Sequence, residues 1–139
     1  MQTEDFLTYS KPYLIGQVAD TSSRQIDSYA AEGEIEFGDP VIRGTDKSSQ
    51  VKKSNSKTEF LGVAVRNDTL SAGLYREKVM VSVMTRGRIV VKVKEDAEAG
   101  SDAYVYADAT IGVTKTDGLK IGTFFNSAAK DSLIILEIR

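Results

Sequence analysis

The sequence predicts an all-β protein folded as a single domain, either a sandwich or a barrel. Short apolar or alternating segments recur along its 139 residues, and turn-forming residues separate them at intervals of about 8–12 residues, as in such folds. No segment keeps the apolar spacing of a helix over several turns. The length favours one domain with enough chain to bury a core.

The chain is expected to be organised around residues 79–93, which contain many β-branched side chains. We predict two strands here that fold back on each other at Arg86-Gly87, because glycine relieves a tight turn. Alternate residues of a strand share a face. The apolar face would consist of Val79, Val81 and Val83 on the first strand and Ile89, Val91 and Val93 on the second.

Residues 1–12 are polar and unpatterned, and Lys11-Pro12 disfavours a regular helix there. We therefore predict an extended N-terminal arm at 1–12, followed by the folded domain at 13–139. Residues 13–19 are apolar around a glycine and predict a short strand or an extended segment on the core. Residues 26–29 alternate and predict a strand.

The middle of the chain is expected to hold short strands around one buried strand. Residues 35–44 read as strand, turn and strand, with the turn at Asp39-Pro40. Residues 51–53 suggest a short edge strand, on which lysines would oppose aggregation. Residues 60–65 are apolar without interruption, which predicts burial on both faces near the centre of a sheet.

Four further strands are predicted in the last third of the chain. Residues 103–107 alternate and place Tyr104 and Tyr106 on one face. Asp117-Gly118 stands between two alternating segments and predicts a hairpin turn. Residues 133–138 form the last strand, whose core-facing side chains are expected to be Ile134, Leu136 and Ile138.

The composition excludes most catalytic chemistry. The chain has no histidine, cysteine or tryptophan, so Ser-His-Asp, Cys-His and His-based metal sites are impossible. We predict that the protein is not an enzyme and uses no cofactor or metal. Its acidic residues are expected to be solvated at strand ends and turns.

Charge and hydropathy argue against nucleic-acid and membrane partners. The formal net charge is −2, from 18 basic and 20 acidic residues, without the basic stripe that binds a duplex. A lysine cluster at Lys47, Lys52, Lys53 and Lys57 has no interleaved aromatic residue to stack a base. No apolar run approaches the ~20 residues that cross a bilayer. The acidic N-terminus does not resemble a signal peptide, and an intracellular origin is the simpler interpretation.

One all-β alternative is a lipoyl or biotinyl carrier domain, which presents a modified lysine at a hairpin tip. The predicted tip here is Arg86-Gly87, and Lys92 lies within a strand. Since arginine cannot carry the acyl group, the sequence disfavours this class.

The order and spacing of several motifs resemble the structural cement proteins of tailed phages, small proteins that decorate the capsid. The resemblance runs from about Gly16 to the C-terminus. The matching segments are residues 16–20 (GQVAD), 28–32 (SYAAE), 37–46 (FGDPVIRGTD), 60–65 (FLGVAV), 81–91 (VSVMTRGRIVV) and 99–105 (AGSDAYV).

This resemblance implies a β-sandwich of jelly-roll type on the outer surface of the virion capsid, made in the cytoplasm of the bacterial host. The protein would bind neighbouring subunits of the major capsid protein and stabilise the shell against genome pressure. It would act as a homodimer, with a trimer as the alternative. A structural protein of the phage tail and a glycan-binding β module are the competing functions.

Two sets of contact residues are predicted on this basis. The arm would bind the capsid through Phe6, Leu7 and Tyr9, because aromatic side chains dominate interface energies. The self-interface would use an exposed strand edge near Tyr104 or Tyr106. The alternative for both tyrosines is that they cap the core.

Overall fold

The computed structural model describes residues 13–20 and 23–138. Nine β-strands account for the regular structure of these ranges, together with a single 3-10 turn at Lys115–Asp117. The strands are β1 Gln25–Ala31, β2 Pro40–Arg43, β3 Gln50–Lys53, β4 Gly62–Ala64, β5 Met80–Lys92, β6 Asp102–Tyr106, β7 Ile111–Gly112, β8 Gly118–Phe124 and β9 Leu133–Ile138. The prediction of an all-β fold is confirmed.

The long strand β5 belongs to two sheets. Its first half pairs with β1 on one edge and with β4 on the other. Its second half, from Gly87 to Lys92, pairs with β9. The prediction of a hairpin at Arg86-Gly87 is therefore wrong: the chain continues through this point as one strand of 13 residues.

A bulge and a glycine let β5 pass from one sheet to the other. Gln25 of β1 pairs with Arg86, and the next residue pairs with Met84, so Thr85 has no partner on β1. An extra residue bends a strand, increases its twist and reverses the alternation of its faces. Gly87 then adopts a φ of +127°, a backbone conformation that residues other than glycine rarely adopt. Because of this reversal, Met84 and Ile89 lie in the same core although they are five positions apart.

Five strands close into a barrel in the order β1-β3-β2-β4-β5, since β1 also pairs with β5. Its core contains Tyr75, whose ring meets the ring of Phe37 edge to face with centroids 5.4 Å apart. The other buried residues of this core are Ala31, Ile35, Val41, Val51, Ala64, Val81 and Val83. β4 is buried along its length, which agrees with the predicted burial at residues 62–64, whereas Phe60, Leu61 and Val65 are only partly buried. The jelly-roll arrangement is not confirmed by this strand order.

The lysine-bearing strand β3 is not an edge strand. It pairs in parallel with β1 through Gln50 and Val51, and antiparallel with β2. The prediction of an edge at residues 51–53 is wrong because closure of the barrel gives β3 a neighbour on each side.

The remaining strands form the second sheet, in the order β5-β9-β8-β6-β7. Val93, just beyond β5, makes a parallel bridge to Ile111 of β7, so the sheet curls back on itself. Its core includes Ile134, Leu136 and Ile138, which are 1%, 0% and 3% exposed, and this confirms the predicted inner face of the last strand. Further buried members are Val63, Met84, Ile89, Val91, Val93, Ala97, Ala103, Val105, Ile111, Ile121 and Phe124.

The second predicted hairpin is also absent. β7 and β8 each pair with β6, which lies between them. The 3-10 turn Lys115–Asp117 connects them, and Gly118 has an extended φ of −148°. Asp117-Gly118 therefore does not form the hairpin turn that the dipeptide predicts.

The predicted extended segment at residues 13–19 makes a turn at Ile15-Gly16 and then runs beside β5, so the prediction agrees with the structure from Gly16 onward. The N–H of Gly16 donates to the carbonyl of Val90 at 2.8 Å, and the N–H of Ala19 donates to the carbonyl of Arg88 at 3.0 Å. Val18 bridges Ile89 between them. This segment occupies the edge of β5 that β9 leaves open, so the chain that follows the predicted arm is fixed to the strand shared by both sheets.

Candidate functional site

The predicted capsid-binding residues Phe6, Leu7 and Tyr9 lie outside the described residues. The predicted self-interface residues, Tyr104 and Tyr106, are each 7% exposed. In β6, Tyr104 pairs with Gly112 of β7, and Tyr106 pairs with Gly118 of β8. A Cβ added at either glycine would meet the ring of Tyr106. The tyrosine rings fill the space that the glycines leave and offer little free surface. The self-interface stays a prediction.

Tyr106 belongs to a polar cluster centred on Glu95. One carboxylate oxygen of Glu95 accepts hydrogen bonds from the Tyr106 hydroxyl at 2.6 Å and from the Val113 N–H at 2.9 Å. The other accepts from the Thr114 hydroxyl at 2.7 Å. The Tyr106 hydroxyl in turn accepts from the Thr114 N–H at 2.8 Å. The cluster therefore connects β6, the residues just after β7 and the loop after β5.

These hydrogen bonds lower the pKa of Glu95 below its usual value, with the Tyr106 hydroxyl as the largest cause. The folded protein therefore binds the proton less readily than the unfolded chain. The resulting stabilisation is present at pH values above the ordinary pKa of a glutamate and is lost as the pH falls through the lower pKa of the folded state.

We expect Glu95→Gln to lower the free energy of unfolding at pH 7 by about 1–3 kcal/mol, the usual contribution of hydrogen bonds to a charged group. The difference between the variant and the wild type should begin to shrink as the pH falls below about 4.5, where Glu95 of the unfolded chain takes up a proton, and it should continue to shrink as the pH falls through the lower pKa of the folded protein. Urea unfolding from pH 3 to 8 measures this. Glu77→Gln, at an exposed position outside the cluster, is the control. A constant difference across that range would contradict the role of the ionised form.

An exposed aromatic contact on the outer face of the second sheet was not anticipated from the sequence. The guanidinium carbon of Arg88 lies 3.9 Å from the ring centroid of Phe125. Arg88 also pairs with Asp20 at 2.9 Å and with Glu137 at 4.0 Å. Phe125 nevertheless remains 47% exposed, and Leu133 nearby on β9 is 38% exposed. Arg88 thus holds an aromatic side chain in place at the surface, which is a common feature of protein interfaces.

The sequence does carry a signal for the exposure of Phe125. Phe124 and Phe125 are adjacent, and adjacent residues of a strand point to opposite faces. Phe124 is 1% exposed in the second core, so its neighbour must point outward.

Two grooves separate the barrel from the second sheet. The larger, which we call the β2–β8 groove, has a volume of about 420 Å³. It is lined by Ile42, Arg43, Lys47, Thr58, Glu59, Phe60, Leu61 and Leu119. The other groove, of about 290 Å³, includes Ile15 and Asp39, so it lies beside the extended segment of residues 13–20.

Burial raises the pKa of Asp39 above its usual value, although its carboxylate accepts the Glu36 N–H at 2.9 Å and lies 3.6 Å from the Lys53 ammonium. This carboxylate closes the turn before β2.

The described residues contain no group of three or more histidine, cysteine, aspartate or glutamate side chains that could hold a metal ion. Within the same ranges, no helix is long and apolar enough to span a bilayer. The described surface does present exposed apolar side chains and open grooves between two β units, and the fold defines the class of the protein as all-β.

The model of the structural cement protein family, whose description names E217 gp24 and Pam3 gp6, matches residues 1–139. The chain belongs to this family. It is a capsid decoration protein of the cement type, located in the phage virion.

Two solved structures have a similar fold. The base of head fiber gp8.5 of bacteriophage phi29 is 14% identical, with a TM-score of 0.61, over 84% of this chain and 95% of that chain. A chain of the capsid of Myoviridae phage XM1 is 16% identical, with a TM-score of 0.68, over 90% of this chain and 89% of that chain. No curated protein matches the sequence.

Proposed function

We propose that this cement protein binds the outer surface of a tailed-phage head, across neighbouring subunits of the major capsid protein. It stabilises the shell against the pressure of the packaged genome and catalyses no reaction. The observation that carries this proposal is the match to the structural cement family over the whole chain.

The proposed mechanism is mass action. A protein that binds the assembled shell but not the separate subunits stabilises the assembled state by the free energy of that binding. If each copy contacts two subunits, the second contact forms at a high effective concentration, so modest contacts add up to strong retention. Many copies on one shell multiply the effect.

The fold supports this mechanism because its two units are joined through β5. A clamp can resist separation of its two partners only if its own halves are firmly connected. Here β5 pairs with β1 and β4 at one end and with β9 at the other, so load passes along the covalent backbone of β5 and through its hydrogen bonds to the strands of both units. The arm at residues 1–12, with Phe6, Leu7 and Tyr9 as its anchors, is the proposed contact to a neighbouring capsid subunit, and the proposed oligomer is a homodimer.

Mixing the purified protein with expanded empty shells, followed by sedimentation, tests the proposal. We expect the protein to sediment with the shells and to raise the temperature at which they come apart. Dissociated capsid protein is the control and should show little binding. Absence of co-sedimentation, or equal binding to separate subunits, would overturn the proposal, and binding to isolated tails instead of heads would assign the protein to the tail.

A further inference from the structure

The β2–β8 groove has a floor that spans both cores of the protein. Leu61 packs partly against the barrel core, whereas Phe60 and Leu119 pack partly against the core of the second sheet. All three side chains are only partly buried. The groove therefore presents an apolar floor at the boundary between the two units.

The groove reaches β8 at Leu119, and part of the edge of this strand is unpaired. β8 pairs with β6 from Gly118 to Thr123, but its pairing with β9 covers only Gly122 to Phe124. Within the described residues, the edge of β8 from Gly118 to Ile121 has no strand beside it on the β9 side. An exposed strand edge is a template for the addition of an extended segment.

The rim of the groove carries an excess of positive charge. Arg43 and Lys47 lie on the rim with a single carboxylate, that of Glu59. Arg43, at the end of β2, donates a hydrogen bond to the Lys47 carbonyl at 2.7 Å, which ties the following loop, with Lys47, to the strand. All three side chains are exposed. The complementary ligand is an extended segment with apolar side chains and an acidic residue.

We propose that the β2–β8 groove binds an extended acidic and apolar segment of the major capsid protein, which adds to β8 as a further strand. This inference rests on the proposed function, and it adds a second contact with the capsid to the one proposed for the arm. The groove includes Ile42 and Arg43 at the end of β2, whereas Ile15, which leads back to the arm, lies beside Gly38 before β2 begins. The arm and the groove then engage the shell at two separate places on each copy.

Charge reversal at the rim tests the electrostatic part of the proposal. We expect Lys47→Glu to weaken co-sedimentation with expanded shells about tenfold, and Arg43→Glu/Lys47→Glu to weaken it further and to reduce its salt dependence. Lys47→Glu alone is expected to fold normally, because the Lys47 ammonium makes no ion pair among the residues the structure describes. Weaker binding of this single variant would therefore not result from misfolding. Lys115→Glu/Lys130→Glu, at two exposed positions outside the groove, changes the net charge equally and should bind as the wild type does.

A crosslink identifies the occupant. The chain contains no cysteine, so Thr58→Cys introduces a single thiol at the groove, which can be labelled with a benzophenone maleimide. After irradiation on purified shells we expect an adduct with the major capsid protein. Thr116→Cys, a threonine of the exposed 3-10 turn, is the matched control and should give none.

The outcomes separate the groove from the broader proposal. If the wild type fails to bind shells, the proposed function itself fails. If the wild type binds and the rim variants bind equally well, only the groove assignment fails. An adduct between two copies of this chain, or no adduct from Thr58→Cys on decorated shells, also overturns the assignment.

Discussion

Replacement of Gly87 by valine is expected to lower the free energy of unfolding by about 4 kcal/mol, since a strained backbone and overpacking each cost about 1–3 kcal/mol. The φ of +127° is unfavourable for a β-branched residue. A Cβ would also lie 2.7 Å from the Cβ of Arg24 and 3.1 Å from the Sδ of Met84. Urea unfolding, extrapolated linearly to water, measures the loss.

Gly73→Val is the matched control for this change. Gly73 has φ +74°, but nothing lies within 4 Å of the position that its Cβ would take. The control should therefore suffer from backbone strain alone and lose about half as much stability. Equal losses in the two variants would show that close packing at Gly87 contributes nothing.

Deletion of residues 1–12 is expected to leave a folded domain whose affinity for expanded shells falls at least about a hundredfold, because anchors such as Phe6 and Tyr9 typically contribute about 2 kcal/mol or more each. The bonds that fix the following segment to β5 begin at Gly16, so the domain should unfold at nearly the wild-type urea concentration. Sedimentation with shells measures the binding.

A full-length variant with Phe6→Ala, Leu7→Ala and Tyr9→Ala separates the anchors from the length of the arm. It should bind nearly as poorly as the deletion variant. If the shortened protein decorates shells with unchanged affinity, the arm has no part in capsid binding. If the deletion variant fails but the triple variant binds normally, the arm contributes through other residues.

The strands could be predicted from local patterns because their alternation is a local property. The inner face of β9 and the burial of β4 followed from the spacing of apolar residues alone. The path between strands could not be predicted in the same way. A glycine inside an apolar stretch fits either a turn or a bend within a continuous strand, and the choice at Gly87 is made by β1, β4 and β9, which are distant in sequence.

The dipeptide Asp117-Gly118 illustrates the same limit. It favours a hairpin in isolation, but β6 pairs with the strands on both sides of it. Tyr106 lies against Gly118, so the absence of a side chain there serves packing and not a turn. Tertiary contacts determine which use of glycine prevails.

The candidate site was predicted less completely than the fold. The exposed Phe125 had a local signal in the adjacent Phe124, whereas its contact with Arg88 depends on the pairing of β5 with β9. The β2–β8 groove combines residues from β2, from the segment before β4 and from β8. No spacing along the chain reveals that these meet.

The shared strand has a consequence for how copies behave when they are crowded together on a shell or in an infected cell. Because β5 pairs in both units, an opening that frees this strand disrupts both units, and it should therefore require a large part of the free energy of complete unfolding. Half-opened molecules with free strand edges, which are the species that initiate aggregation, should therefore be scarce even at high local concentration.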